Sequence, residues 1–84
     1  MSPVTIYTTG YCPYCHRAKE LLERLGIAFD EIDVTDDDER RAWLVERTGR
    51  RTVPQIFFGE RSIGGYDDLA ALVKAGEIDS LVRG

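Results

Sequence analysis

The first third of the chain changes its hydrophobic period twice, and that limits the topologies open to it. Val4-Thr5-Ile6-Tyr7-Thr8 is β-branched and aromatic, lies between Pro3 and Gly10, and reads as a strand. From Pro13 onward, Ala18, Leu21, Leu22 and Leu25 follow the spacing of one helical face, with Lys19, Glu20, Glu23 and Arg24 on the others. Pro13 suits a first helical turn, where its missing N–H costs nothing, and Gly26 suits a left-handed stop. Ile27 to Val34 reads as a second strand. Asp30, Glu31 and Asp33 interrupt it, as befits a sheet edge guarded by charge. Strand, helix and strand in so short a span make a βαβ unit, so the first two strands must run parallel.

The remaining segments add a second layer of helix and a hairpin. Thr35-Asp36-Asp37-Asp38-Glu39 opens a helix running to about Thr48, with Thr35 or Asp36 as its cap and Trp43 and Leu44 as its expected buried anchors. Acids in a first turn complement the helix dipole, which explains the acidic run without a binding patch. Residues 49–54 form a loop. Gln55-Ile56-Phe57-Phe58 and Arg61-Ser62-Ile63 pair as a hairpin around Gly59-Glu60. Gly64-Gly65 leads into a third helix with Asp67 as cap and Leu69, Leu72 and Val73 turned inward. Gly76 ends that helix, and Ile78, Leu81 and Val82 anchor a last helical turn. The order β-α-β-α-β-β-α places the chain in the α/β class, as one domain over residues 1–84.

Composition excludes several functions. A hydrophobic share of 43% with a formal charge of only -4 does not fit a disordered chain. The acidic balance argues against nucleic acid as a partner, since phosphate binding needs clustered Lys and Arg. No apolar run approaches the ~20 residues that span a bilayer, and residues 1–4 lack a basic-then-apolar leader. The expected location is therefore cytoplasmic, where thiols stay mostly reduced and a disulfide is usually transient and catalytic.

Both cysteines of the chain stand in Cys12-Pro13-Tyr14-Cys15, at the strand-to-helix junction of the βαβ unit. That spacing in that setting reads as a redox pair. A sulfur at the start of a helix meets unpaired N–H groups that stabilise a thiolate. Motifs of this kind lower a thiol pKa from ~8.5 into the ~3.5–7.5 range. Cys12 is accordingly the expected nucleophile. Cys15 lies one turn deeper, where burial is greater, and should stay protonated until it resolves a mixed disulfide. A structural zinc site needs four ligands, and the two cysteines with the lone His16 supply three, so no metal is expected.

These residues, with Thr52-Val53-Pro54 and Gly64-Gly65 followed by Asp67-Asp68, resemble the dithiol glutaredoxins of the thioredoxin-like superfamily. The resemblance covers essentially the whole chain. It implies a thioredoxin-like fold: a four-stranded mixed sheet of order 2-1-3-4, with helices on both faces. It also implies a glutathione-dependent thiol–disulfide oxidoreductase that reduces protein disulfides and glutathione mixed disulfides, Cys12 attacking and Cys15 resolving. Glutathione, as reducing co-substrate, would then lie beside Cys12 and Tyr14. Pro54 would be cis, leaving the backbone of Val53, next to Thr52, free to pair with the tripeptide as one strand pairs with another. The turn at Gly65, with the N–H groups of Tyr66 and Asp67, would receive the γ-glutamyl carboxylate, and the Asp67 side chain its ammonium.

One departure from the family pattern stands out. Many glutaredoxins carry a lysine shortly before the first cysteine, where this chain has Thr9-Gly10-Tyr11. Arg41, with Arg51 as a second candidate, is then expected to meet the glycine carboxylate of glutathione; either arginine can equally be a solvated surface residue. Implied partners are disulfide-containing or glutathionylated proteins, with ribonucleotide reductase among the candidate clients, and the chain is expected to be a monomer. Rival readings are a relative reduced by thioredoxin reductase, a carrier of a [2Fe–2S] cluster and a non-catalytic adaptor. The Gly-Gly-Tyr-Asp-Asp stretch, Pro13 and the intact cysteine pair weigh against these three in turn.

Overall fold

A computed structural model describes residues 3–83; the expectations that touch Met1, Ser2 and Gly84, including part of the leader reading, lie outside the described residues. Four strands form one sheet in the order β2-β1-β3-β4, namely β1 Val4–Thr8, β2 Phe29–Asp33, β3 Gln55–Phe58 and β4 Arg61–Gly64. Strands β1 and β2 are parallel, with Val4 opposite Phe29 and Thr8 opposite Asp33. Strand β3 runs antiparallel to both β1 and β4. The crossover between β1 and β2 is helix α1, Pro13–Arg24, as a parallel pair requires.

Alternation along the strands sends side chains to two separate cores. Val4, Ile6, Ile56 and Phe58 meet Ala18 and Leu22 of α1, Leu69 of α3 (Tyr66–Lys74) and Ile78 of α4 (Ile78–Arg83). On the opposite face, Phe57 packs with Val34 and with Leu44 of α2 (Asp38–Thr48). Helices therefore cover both faces, and β3 is buried along its whole length because it faces both.

Local chemistry moved several boundaries. The second strand begins at Phe29 rather than Ile27, because the N–H of Ile27 still closes α1 by donating to the carbonyl of Leu22. The cap of α2 is Asp37, whose carboxylate accepts from the N–H of Arg40 at 3.0 Å; neither Thr35 nor Asp36 takes that role. The Thr35 hydroxyl is committed elsewhere, accepting from the N–H of Gly10 at 2.9 Å. The cap of α3 is Gly65 instead of Asp67, and the neighbouring Asp68 accepts from the Gly65 N–H at 2.9 Å. Trp43 is 43% exposed and not a buried anchor. Its ring leans on Tyr7 and Phe57 at the open rim of the smaller core, with centroids 5.7 and 5.9 Å away. Leu44 alone of that pair is buried.

Ile56 has no exposed surface and touches the larger core, so Ile56→Ala leaves a cavity that the sheet cannot close. Urea denaturation is expected to show a loss of about 2–5 kcal/mol for Ile56→Ala and a smaller loss for Trp43→Ala. The reverse order would mean that the α2 face carries the fold.

Candidate active site

The end of β1 and the start of α1 bring the cysteine pair to the sheet's carboxyl edge. Cys12 is the N-cap of α1, in extended conformation, and Pro13 opens the first turn. The N–H of Cys15 donates to Cys12 Sγ at 3.1 Å. The Cys12 thiol in turn donates to the carbonyl oxygen of Val53 at 3.4 Å. One sulfur thus sits between a helix start and the loop before β3. Cys12 is half-buried, whereas Cys15 is 2% exposed and both are free thiols. Burial, followed by the hydrogen bond with Cys12, pushes the Cys15 thiol up to about 12; the backbone of Thr9 and the Lys19 charge oppose this without prevailing.

The loop that carries Val53 is held from below. The Val53–Pro54 bond is cis. Gln55, fully buried next to it, donates from Nε2 to the carbonyl of Thr52 at 2.8 Å, so the loop cannot drift from the strand that follows. A cleft of ≈290 Å³ is lined by Tyr14, Arg50, Thr52, Val53, Pro54, Gly65, Tyr66, Asp67 and Asp68, and Cys12 meets it through Val53. Tyr14 and Tyr66 face each other across it with ring centroids 6.2 Å apart, and the Arg17 guanidinium lies 5.3 Å from the Tyr14 ring. A second cleft of ≈330 Å³ continues from the same loop and is lined by Arg41, Arg50, Arg51, Thr52 and Val53 among others. The two clefts share Arg50, Thr52 and Val53. Of the residues singled out from the sequence, Cys12 reaches them through its contact with Val53 and Cys15 lines neither. Tyr14, Pro54, Gly65, Tyr66 and Asp67 lie on one side of Val53, and Arg41 and Arg51 on the other.

Arg50 was not anticipated. It borders both clefts, and its Nη1 lies 2.8 Å from Asp68 Oδ2, the atom that also caps Gly65. This contact ties the Val53 loop to the start of α3. The Arg50 guanidinium and the Gly65 N–H hold the Asp68 carboxyl below the usual carboxylate range. Gly64, at φ 111°, leaves no room for a side chain, since one would collide with Asp68 and Arg50. In sequence, Arg50 looks like any loop arginine; its partner lies 18 residues away and only the fold joins them. Gln55 carried a faint signal, as the one amide in an otherwise apolar strand.

The sheet order, the helix-capping sulfur and the buried second thiol define a thiol–disulfide oxidoreductase of the thioredoxin-like superfamily. The sequence matches the family model described as Glutaredoxin over residues 4–63. It is 54% identical to a glutaredoxin of Pseudomonas aeruginosa over 82 residues, covering 98% of each chain. It is 47% identical to glutaredoxin 3 of Escherichia coli over 83 residues, covering 99% of this chain and all of the other. Among solved structures, the buckwheat glutaredoxin–glutathione complex superposes with a TM-score of 0.90 at 30% identity, over 98% of this chain and 77% of that one. The Brucella melitensis glutaredoxin gives 0.86 at 54% identity, over 98% and 89%. The chain belongs to the glutaredoxin family. Its activity is glutathione-dependent thiol–disulfide exchange.

A depressed carboxyl contributes stability above its ordinary titration range and loses it as pH falls through the folded value. Arg50→Ala is expected to lower the melting temperature at neutral pH by no more than roughly 5 °C, because the pair is half exposed and screened. The difference from the native chain should close as the medium is acidified and Asp68 protonates in both. A gap that widens in acid would assign the stability to some other group.

Proposed function

We propose that Cys12 is the attacking thiolate and Cys15 the resolving thiol, and that glutathione docks along the Val53 loop. The observation that carries this reading is the position of Cys12 Sγ, on the helix start and 3.4 Å from the carbonyl of Val53, a residue that lines the cleft. In the one-cysteine route, Cys12 attacks the glutathione sulfur of a glutathionylated protein. The protein thiolate leaves, and Cys12 keeps the glutathionyl group until a second glutathione attacks it and departs as glutathione disulfide. In the two-cysteine route, Cys12 attacks a protein disulfide and Cys15 then displaces the protein, closing a Cys12–Cys15 disulfide that glutathione reduces.

Glutathione is the reducing co-substrate in both routes. Its cysteinyl backbone pairs with Val53 between Thr52 and Pro54, with Tyr14 flanking the sulfur. Its γ-glutamyl carboxylate meets the N–H groups of Tyr66 and Asp67 after Gly65. These groups open the nine-residue helix α3, where the dipole favours an anion. The exposed Asp67 carboxylate takes the ammonium. Its glycine carboxylate lies in the arginine-lined cleft, where Arg41 replaces the lysine absent before Cys12. The reading extends to a one-domain monomer of the cytoplasm acting on disulfide-containing and glutathionylated proteins, with ribonucleotide reductase as one client. No helix among the described residues is long and apolar enough to cross a membrane.

A glutathione-coupled mixed-disulfide assay separates the roles. Cys12→Ser is expected to abolish turnover of both substrate types. Cys15→Ser should retain deglutathionylation and lose protein-disulfide reduction. Normal turnover in Cys12→Ser would overturn the assignment. Arg41→Ala is expected to raise KM for glutathione about tenfold with little change in kcat, as loss of uniform binding does; an unchanged KM removes Arg41 from the site.

A further inference from the structure

Behind the cysteine pair lies a second cluster that the two routes leave without a role. Lys19 Nζ sits 3.1 Å from Glu31 Oε2, and the lysine side chain is only 23% exposed. The same carboxylate oxygen accepts from the hydroxyl of Thr8 at 2.7 Å. Thr8 is 1% exposed and ends β1, so α1, β2 and β1 converge on one carboxylate. A lysine at a helix surface ordinarily extends its amine into water. Here the amine is instead tethered to the Glu31 carboxylate.

Its position along α1 shows what it is tethered against. Helical side chains lean toward the N-terminus, so a residue covers the one four positions before it. The residue four positions before Lys19 is Cys15, the buried thiol. The backbone of Thr9, directly after the Thr8 anchor, acts on the same sulfur and favours its ionised form. The titratable and charged groups acting on Cys15 and Lys19 among the described residues are Cys12 from α1 and Glu31 and Asp33 from β2. Lys19 is the cation of that set, and with Thr9 it counters the desolvation of Cys15.

Two of the influences that keep Cys15 protonated come from the unmodified sulfur of Cys12: the hydrogen bond it accepts from the Cys15 thiol and the repulsion between the two sulfurs. The repulsion falls away once Cys12 carries a disulfide, because a disulfide sulfur does not ionise, and the hydrogen bond weakens, because a disulfide sulfur is a poorer acceptor than a thiolate. Burial and the weakened hydrogen bond then stand against Lys19 and Thr9.

We propose that Lys19, held by Glu31 and Thr8, is a positioning residue for the resolving step, its ammonium stabilising the Cys15 thiolate as that sulfur attacks. The proposal rests on the assignment of Cys12 and Cys15 given above. Cys15 gives its proton to solvent, and its sulfur attacks Cys12 Sγ in the mixed disulfide. The Cys12–glutathione S–S bond breaks as the Cys12–Cys15 bond forms. Glutathione leaves with the electron pair and takes a proton from solvent. Cys15 is oxidised, the glutathione sulfur is reduced, and no other reactant is needed.

The test mixes reduced protein with glutathione disulfide, quenches in acid at successive times, and follows the mixed disulfide and its closure by intact mass across a range of pH. Lys19→Met is expected to slow closure roughly tenfold at neutral pH and to move the pH profile of closure upward by about one unit, the shift that a tenfold change represents. Lys19→Arg, which keeps the charge, should hold the native profile. Slower closure with an unshifted profile in both variants would mark Lys19 as merely structural and overturn the proposal. So would closure in Lys19→Met at the native rate and profile. Failure of the mixed disulfide to form in the native chain is a different outcome: it would remove the assignment of Cys12 and the present proposal with it.

Discussion

The N–H of Cys15, pointing at the sulfur of Cys12, is the contact around which the molecule is arranged. It exists because Cys12 ends an extended segment and Pro13 begins a helix, so the first unpaired donors of that helix face back along the chain. Strand β1 aims the segment, and the helix returns over the sheet to set β2 parallel beside it. The hydrophobic face of α1, through Ala18 and Leu22, fixes the helix to the larger core and with it the direction of those donors.

The same junction gives two chemically similar groups opposite surroundings. Cys12 is half-buried, with a helix end behind it and the carbonyl of Val53, which lines both clefts, beside it. Cys15, one turn on, is taken into the protein, and burial keeps it a thiol at neutral pH. On the proposed assignment this asymmetry separates attack from resolution. The sulfur that must meet substrate is placed at the helix end, and the sulfur that must wait is placed inside. The clefts on either side of Val53 carry the same logic outward. One is bordered by the start of α3 and suits a carboxylate at backbone donors; the other gathers Arg41, Arg50 and Arg51.

Much of the architecture was legible before any coordinates. The βαβ unit, the hairpin, the sheet order and the cysteine pair at a helix start all follow from period changes, from Gly and Pro punctuation and from the family resemblance. What the sequence concealed shares one physical character: it depends on partners distant along the chain. Asp37 caps α2 because the Thr35 hydroxyl is taken by the Gly10 amide, a contact spanning 25 residues. Trp43 looks like a core residue by size, but α2 presents it at the rim, against Tyr7 and Phe57. Asp67 looks like a cap by type, yet the cap is Gly65, and Asp68 serves it from within the helix. The Arg50–Asp68 and Lys19–Glu31 pairs each join different elements of the fold, so neither leaves a mark in local sequence.

The most direct measurement treats the two single-cysteine variants alike. Each is mixed with glutathione disulfide at neutral pH, and the appearance of the glutathione adduct is timed by intact mass. The account predicts rapid capping of Cys12 in Cys15→Ser, and capping of Cys15 in Cys12→Ser slower by a factor of ~100 or more, because the thiolate is the nucleophile and Cys15 is buried as a thiol. Adducts forming at comparable rates in the two variants would contradict it, for the helix start would then confer no advantage on the sulfur it holds.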